Sequence, residues 1–261
     1  MSEWKDKVAV VTGGGSGIGR ALALALAARG VKVVVADLNP ETAAATALAC
    51  GQGATSVGFD VRDAAAFRRC IEDAAATHGS LDYLFNNAGI GVGGEAYELP
   101  LEAWDLAIDV NLRGVVHGVA VAYPLMVKQG SGHIINTASL AGLGPSAFLV
   151  PYSMTKHAVV GLSSSLRIEG AALGVRVSVL CPAAIDTPLL DVTRNPELPD
   201  PVWIPNIRKY LTKISGTPYP AEQCAEDTLN AVSKNEGVIV IPKRAKMIWR
   251  LGRFFPALIE K

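Results

Sequence analysis

The chain has 261 residues, half of them hydrophobic, with 24 basic against 24 acidic side chains. This is enough chain for one substantial core, and the even charge balance gives no electrostatic pull toward nucleic acid, which is not an expected partner. Cys50, Cys70, Cys181 and Cys224 form no C-x-x-C pair, and His78, His117, His133 and His157 form no H-E-x-x-H, so no metal site is expected.

The N-terminal stretch MSEWKDKVAVVTGG is charged and runs directly into an apolar strand, unlike a signal peptide. No run of 18 apolar residues suggests a membrane-spanning helix. A cytoplasmic chain with reduced thiols is the expectation. Short apolar runs at 7–13, 32–37, 54–60, 81–89, 132–139, 176–182 and 237–242 read as seven strands. They are continuous rather than alternating, which indicates burial on both faces and hence parallel pairing. Segments 17–29, 41–50, 63–78, 101–127, 151–173 and 222–235 have helical composition between them. The expectation is an α/β chain forming a single doubly wound, Rossmann-type domain over 1–261, its seven-stranded parallel sheet covered by helices on both faces. The Pro-rich stretch 188–220 breaks this rhythm, and a loop of such length usually has a function or is disordered.

TGGGSGIG at 12–19 follows the first strand and opens a helix. In that setting Gly13, Gly17 and Gly19 let backbone approach a pyrophosphate, while the helix N-terminus offers free N–H groups. A turn with no ligand is the plainer alternative. Asp37 ends the second strand 18 residues after Gly19, where a carboxylate can accept hydrogen bonds from ribose hydroxyls. Its alternative use, capping the next helix, is open to Asn39 as well. Ser139 ends the fifth strand, so its hydroxyl belongs at the carboxyl edge of the sheet, unless it serves only a turn. Tyr152 and Lys156 are four apart and share a helix face. A tyrosine has an ordinary pKa of about 10, and the Lys156 ammonium would lower it by stabilising the phenolate. An ordinary pair on a solvated helix is the alternative.

Taken together, T-G-x-x-x-G-x-G at 12–19, N-N-A-G at 86–89, Asn111, and Ser139 thirteen residues before Y-x-x-x-K resemble the short-chain dehydrogenase/reductase family over about residues 5–190. The resemblance implies that Ser16 and Ile18 contact dinucleotide phosphates, that Asp37 selects the ribose, and that Asp60 and Val61 meet adenine. It further implies that Asn87, Ala88 and Gly89 line the cofactor, with Ile185 and Thr187 at the nicotinamide carboxamide. Ser139 would polarise the substrate oxygen and Tyr152 exchange its proton. Lys156 would tune Tyr152 and bind the nicotinamide ribose, and Asn111 would hold a relay water. Asp37 favours NAD as cofactor over NADP, because its charge repels a 2′-phosphate. One departure stands out: the family usually has Pro-Gly where this chain has Pro182 and Ala183, and alanine does not readily take a positive φ.

The expected activity is hydride transfer between a nicotinamide cofactor and a small-molecule secondary alcohol or ketone. A hydrolase would need G-x-S-x-G, which is missing. A non-catalytic, dinucleotide-sensing protein of the same fold stays open, although it need not keep Asn111, Ser139, Tyr152 and Lys156 together. Segment 188–215 carries Trp203, Ile204, Ile207, Tyr210, Leu211 and Ile214 interleaved with Arg208, Lys209 and Lys213, and reads as a lid. With 144–151 as facing wall it would favour a bulky apolar group; a loop with no substrate role is the alternative. The stretch 242–261 mixes Lys243, Arg244, Lys246, Arg250 and Arg253 with Trp249, Phe254 and Phe255 in a basic amphipathic pattern. It suits a second subunit or an anionic membrane surface. Pairing of subunits is favoured, because strand 237–242 belongs at a sheet edge and family members commonly form homodimers and homotetramers.

Overall fold

The computed structural model describes residues 3–191, 196–198 and 206–254. In chain order it runs β1 (Val8–Thr12), α1 (Gly17–Ala27), β2 (Lys32–Asp37), α2 (Pro40–Cys50), β3 (Thr55–Gly58), α3 (Ala64–His78), β4 (Tyr83–Asn86), α4 (Leu101–Ile108), α5 (Gly114–Gln129), β5 (Gly132–Thr137), α6 (Val150–Ala171), β6 (Val175–Pro182), β7 (Ile185–Asp186), α7 (Ile207–Ser215), β8 (Tyr219–Pro220), α8 (Ala221–Ser233), β9 (Val238–Ile241) and α9 (Lys243–Phe254). The seven expected strands form one parallel sheet in the order β3-β2-β1-β4-β5-β6-β9. The chain winds outward through β2 and β3 and then returns to β4 on the other side of β1. This reversal opens a crevice at the carboxyl ends of β1 and β4, where doubly wound sheets take ligands.

Alternate residues of each strand feed different cores. Val11, Val35, Phe85 and Ile135 pack under α1 and α8 with Leu22, Leu26, Cys224 and Leu229. Val10, Val34, Leu84 and Ile134 face α3 and α5, meeting Phe67, Ile71 and Met126. Both faces of the central strands are therefore dry, which suits the continuous apolar runs of β1 and β2. Asn39 caps α2 by accepting from the Glu41 and Thr42 N–H groups, and Asp63 does the same for α3. Asp37 is thus relieved of capping.

Three features depart from the sequence reading. The helix expected over 101–127 is interrupted by a π-helical turn, Asp109–Arg113, which carries Asn111 inward; such bulges are frequent at functional sites. By length and composition the stretch Leu101–Gln129 is apolar enough to cross a membrane, yet Val121, Ala122 and Met126 are buried in the core beneath the sheet. A second, two-stranded parallel pair joins β7 to β8. Ala183 also resolves the doubt raised by the missing glycine. Its φ is not positive, and its N–H donates to Ile241 O at 2.8 Å, so the turn follows a path that alanine accommodates. All four cysteines are free.

Gly19 is a packing residue. A Cβ there would collide with the Gly13 carbonyl oxygen and lie 2.6 Å from Asn87 Nδ2, so α1 could not sit so close to the turn after β1. Gly19→Ala should destabilise even the ligand-free protein by about 1–3 kcal/mol of overpacking. Differential scanning calorimetry should show a lower Tm for it, with Ser16→Ala, at an exposed position, unchanged.

Candidate active site

A cavity of about 820 Å³ runs along the carboxyl edge of the sheet. Gly13, Ser16, Gly17, Ile18, Asp37, Asp60, Val61, Asn87, Ala88, Gly89, Ser139, Tyr152, Lys156, Ile185 and Thr187 all line it. Of the catalytic and cofactor-binding residues expected from the sequence, Gly19 and Asn111 do not reach its wall.

One end is a cradle of backbone. Gly13 and Gly17 hold φ values of 63° and 50°, in the left-handed region that favours glycine. A Cβ on Gly13 would lie 2.9 Å from Ala88 Cα, and one on Gly17 would lie 3.1 Å from Thr187 Cγ2. Helix α1 begins here with no acidic residue in its first turn and no side-chain cap from Ser16, leaving its N–H groups directed at the cavity. Beside the cradle Asp37 Oδ2 accepts from Gly15 N at 2.8 Å and Oδ1 from Asn39 N at 3.0 Å. Asp60 is gripped by Arg62 through Nε at 2.8 Å and Nη2 at 2.6 Å, and Arg62 Nη1 also reaches Glu197 at 2.7 Å. Burial pushes the Asp60 carboxyl up, but these bonds outweigh it and hold the group below its ordinary range. An acidic corner, a bare helix N-terminus and a side-chain-free cradle fit a dinucleotide.

Three central strands are pinned together at the same edge. Thr12 Oγ1 accepts from Asn87 N at 3.0 Å and Ala88 N at 3.1 Å. Asn87 Nδ2 donates to Thr12 O at 3.1 Å, while Thr137 Oγ1 donates to Asn87 Oδ1 at 3.3 Å. The N-N-A-G segment is thereby tied to β1 and β5, a structural duty that motif spacing does not reveal.

At the other end stands the Tyr152–Lys156 pair in the first turns of α6. Lys156 is 3% exposed, and its Nζ donates to Thr137 O at 2.9 Å while lying 5.6 Å from the Tyr152 ring centroid. Burial lowers the ammonium pKa to about 8. The Tyr152 phenol is pushed up by burial, with a hydrogen bond to Ser139 pulling the other way. The phenol is therefore shifted up, the opposite of the lowering expected from the Lys156 ammonium. Ser139 Oγ accepts from Ala141 N at 3.2 Å and meets Pro182 O only at 3.5 Å, so its proton is weakly held. Asn111 is fully buried, its amide bonded at both ends to Ile90 (Oδ1 from N at 2.8 Å, Nδ2 to O at 3.0 Å). A Cβ on Gly89 would stand 3.0 Å from Asn111 Oδ1 and 3.4 Å from Lys156 Nζ, so the glycine keeps the space between them open. Cys181 nearby is a thiol pushed up to about 12 by burial and adds no charge.

Around this end the wall is apolar. Leu149, Leu189, Ile207 and Leu211 contribute, with Pro145 and Ser146 from the opposing loop. Phe148 and Tyr210 meet edge to face at 6.1 Å. Helix α7 is thus on the cavity, as the lid reading expects, whereas Trp203 and Ile204 lie outside the described residues and nothing is described of the Ile214 side chain. Arg208 anchors α7 to the turn after β6, binding Asp191 through Nε at 2.6 Å and Nη2 at 2.8 Å and Asp186 through Nη1 at 2.7 Å. Sequence reasoning passed over Arg62, Thr137 and this role of Arg208, whose partners Glu197, Asn87 and Asp186 are far away along the chain. It also gave Trp249 to a second subunit. The ring is partly buried against this chain's own core. Phe255 lies outside the described residues. Among those residues no cluster of three or more His, Cys, Asp or Glu could hold a metal.

Residues 7–197 match the family model described as short chain dehydrogenase. The chain is 40% identical over 186 residues to 2,5-dichloro-2,5-cyclohexadiene-1,4-diol dehydrogenase of Sphingobium indicum, covering 70% of this chain and 74% of that one. It is 38% identical over 193 residues to cyclohexanol dehydrogenase of Acinetobacter sp. SE19, covering 72% and 77%. A crystal structure of a short chain dehydrogenase/reductase from Burkholderia phymatum in complex with NAD superposes with a TM-score of 0.89 at 32% identity, covering 99% of this chain and 96% of that chain.

Because the folded Lys156 pKa is depressed, the cost of burying its charge is present below about pH 8 and disappears as pH rises toward the unfolded value near 10.5. The stability of the wild type relative to Lys156→Met should therefore rise by about 3 kcal/mol across that window. Paired urea titrations at several pH values would reveal it; a flat difference would contradict the buried charge.

Proposed function

This chain belongs to the short-chain dehydrogenase/reductase family, and from that premise we propose that it is an NAD-dependent dehydrogenase of bulky, apolar, ring-bearing secondary alcohols, or a reductase of the matching ketones. The observation that carries the reading is the buried ammonium of Lys156 beneath Tyr152, next to a loosely bonded Ser139 hydroxyl, on the wall of an apolar chamber. A nicotinamide ring, when bound, supplies or takes the hydride. The chain's own groups handle the proton and the orientation. Tyr152 gives its phenolic proton to a carbonyl oxygen or takes one from a hydroxyl, and Ser139 Oγ donates to the same oxygen. Lys156 donates one N–H to Thr137 O and keeps two for a ribose hydroxyl and a water. The space at Gly89 between Lys156 and Asn111 suits that water, which would return the proton to solvent. Alcohol oxidation needs the pair to lose a proton, so its rate should climb with pH where ketone reduction falls.

Asp37 supports NAD. Its carboxylate can accept from ribose hydroxyls and repels a 2′-phosphate, while Arg62, a cation on the same wall, is already engaged by Asp60 and Glu197. Two relatives named for cyclohexane-type alcohols and the apolar wall support a ring-bearing substrate.

The assay is reduced-nicotinamide absorbance with NAD and a panel of cyclic secondary alcohols. Tyr152→Phe should keep the fold and cofactor affinity while losing about 10²–10⁴-fold in kcat, the usual share of a positioned proton donor. Cofactor binding without turnover of any alcohol or bulky ketone would replace the enzyme with a dinucleotide sensor.

Asp37→Ala should narrow the NAD preference by roughly 1–3 kcal/mol, typical of a charge-assisted hydrogen bond. Comparing kcat/KM for NAD and NADP reads this directly, and a wild type that prefers NADP would refute the role given to Asp37.

A further inference from the structure

The inner face of α9 is turned to the cavity. Ala245, Trp249 and Arg253 are spaced by four and so share a face. Ala245 is buried among Ala138, Val179, Cys181 and Val240, and Trp249 packs against the same cluster as Leu140, Leu143 and Ala183. Those residues follow Ser139 and Pro182 in sequence, so Trp249 sits at the reacting end of the cavity rather than at the cradle. Trp249 and Arg253 both line the cavity wall. The Arg253 guanidinium carbon lies 5.6 Å from the Trp249 ring centroid, within cation–π range. The first turn of α9 is fixed by Arg244 donating to Thr217 O, just beyond α7. Met247 and Leu251 point away from the fold and are exposed.

The charges along the wall are otherwise accounted for. Arg62 is paired with both Asp60 and Glu197, Asp37 is the ribose corner, and Lys156 belongs to the proton site. Arg253 is the remaining one, and among the described residues no carboxylate pairs with it. We propose that Arg253, held over Trp249, is an anion-recognising subsite, and that the substrates are apolar secondary alcohols or ketones bearing a carboxylate remote from the reacting carbon. This rests on the function proposed above and narrows its substrate class. A guanidinium presents a planar fork that matches a carboxylate. Stacking on Trp249 limits the freedom lost when a carboxylate binds, and the apolar chamber beside it takes the substrate body.

The test uses 4-(4-oxocyclohexyl)benzoate and its methyl ester, each with reduced cofactor. The wild type should favour the acid in kcat/KM by about tenfold, as a partly exposed charge-assisted bond allows. Arg253→Met should bring the ratio near one, Arg253→Lys should restore part of it, and added salt should shrink it. A wild type that reduces both equally, or a ratio untouched by Arg253→Met, overturns the subsite while leaving the proposed function standing. If neither ketone is reduced, calorimetric binding in the presence of NAD decides. Tighter binding of the acid, lost in Arg253→Met, keeps the subsite although the proposed chemistry fails, and equal binding refutes it. Loss of binding to phosphatidylglycerol vesicles in Arg253→Met with no change in the acid-to-ester ratio would assign Arg253 to a membrane surface and also overturn the proposal.

Discussion

Keeping the Lys156 ammonium out of water costs several kcal/mol before compensation, and the rest of the site is organised around meeting that cost. One N–H is satisfied by Thr137 O at the end of β5. Thr137 is in turn fixed through its hydroxyl to Asn87, and Asn87 to Thr12, so the acceptor is part of a strap across β5, β4 and β1. Its opposite side is left open by Gly89, with Asn111 beyond. A lysine placed so is poised: burial has already brought its pKa to about 8, and any anion that forms nearby is strongly stabilised in a medium of low effective dielectric. The same burial raises Tyr152. Burial thus acts on both members in the same sense, disfavouring the ammonium of one and the phenolate of the other.

Much of this was legible in the sequence. The seven strands and their parallel pairing followed from continuous β-branched runs, since only a sheet covered on both faces tolerates Val33–Val34–Val35 without alternation. The cradle was legible because three glycines between a strand and a helix have few other uses. Tyr152 and Lys156 were legible because a four-residue spacing fixes a helix face. What stayed hidden depends on distant partners. Arg208 and Asp186 are 22 residues apart, Arg62 and Glu197 are 135 apart, and no periodicity links them. The π turn at Asp109–Arg113 also leaves no pattern, because one extra residue in a helical turn leaves composition unchanged.

Trp249 shows that composition alone does not fix which surface an amphipathic stripe covers. An amphipathic helix with cations and aromatics reads equally well as a surface for membranes, subunits or its own fold, since each buries the same stripe. The structure turns the Ala245–Trp249 face inward and leaves Met247 and Leu251 outside. The decision was made by β9, whose place at the sheet edge leaves an apolar shelf of Val179, Cys181 and Val240 for the next helix to cover.

The segments over the cavity are attached in a different way from the sheet. Glu197 is tied down by Arg62, and α7 by Arg208 to Asp186 and Asp191, through pairs that are substantially open to solvent. Exposed pairs are worth little individually, whereas the central strands β1, β4 and β5 beneath are buried and paired on both sides. The molecule therefore combines a scaffold whose opening is costly with a covering whose release is cheap. Proton transfer and ligand exchange place opposite demands on the chain, and this division meets both. The buried Tyr152–Lys156 end is held by the sheet, while the segments on the outer wall of the cavity are held by such exposed pairs.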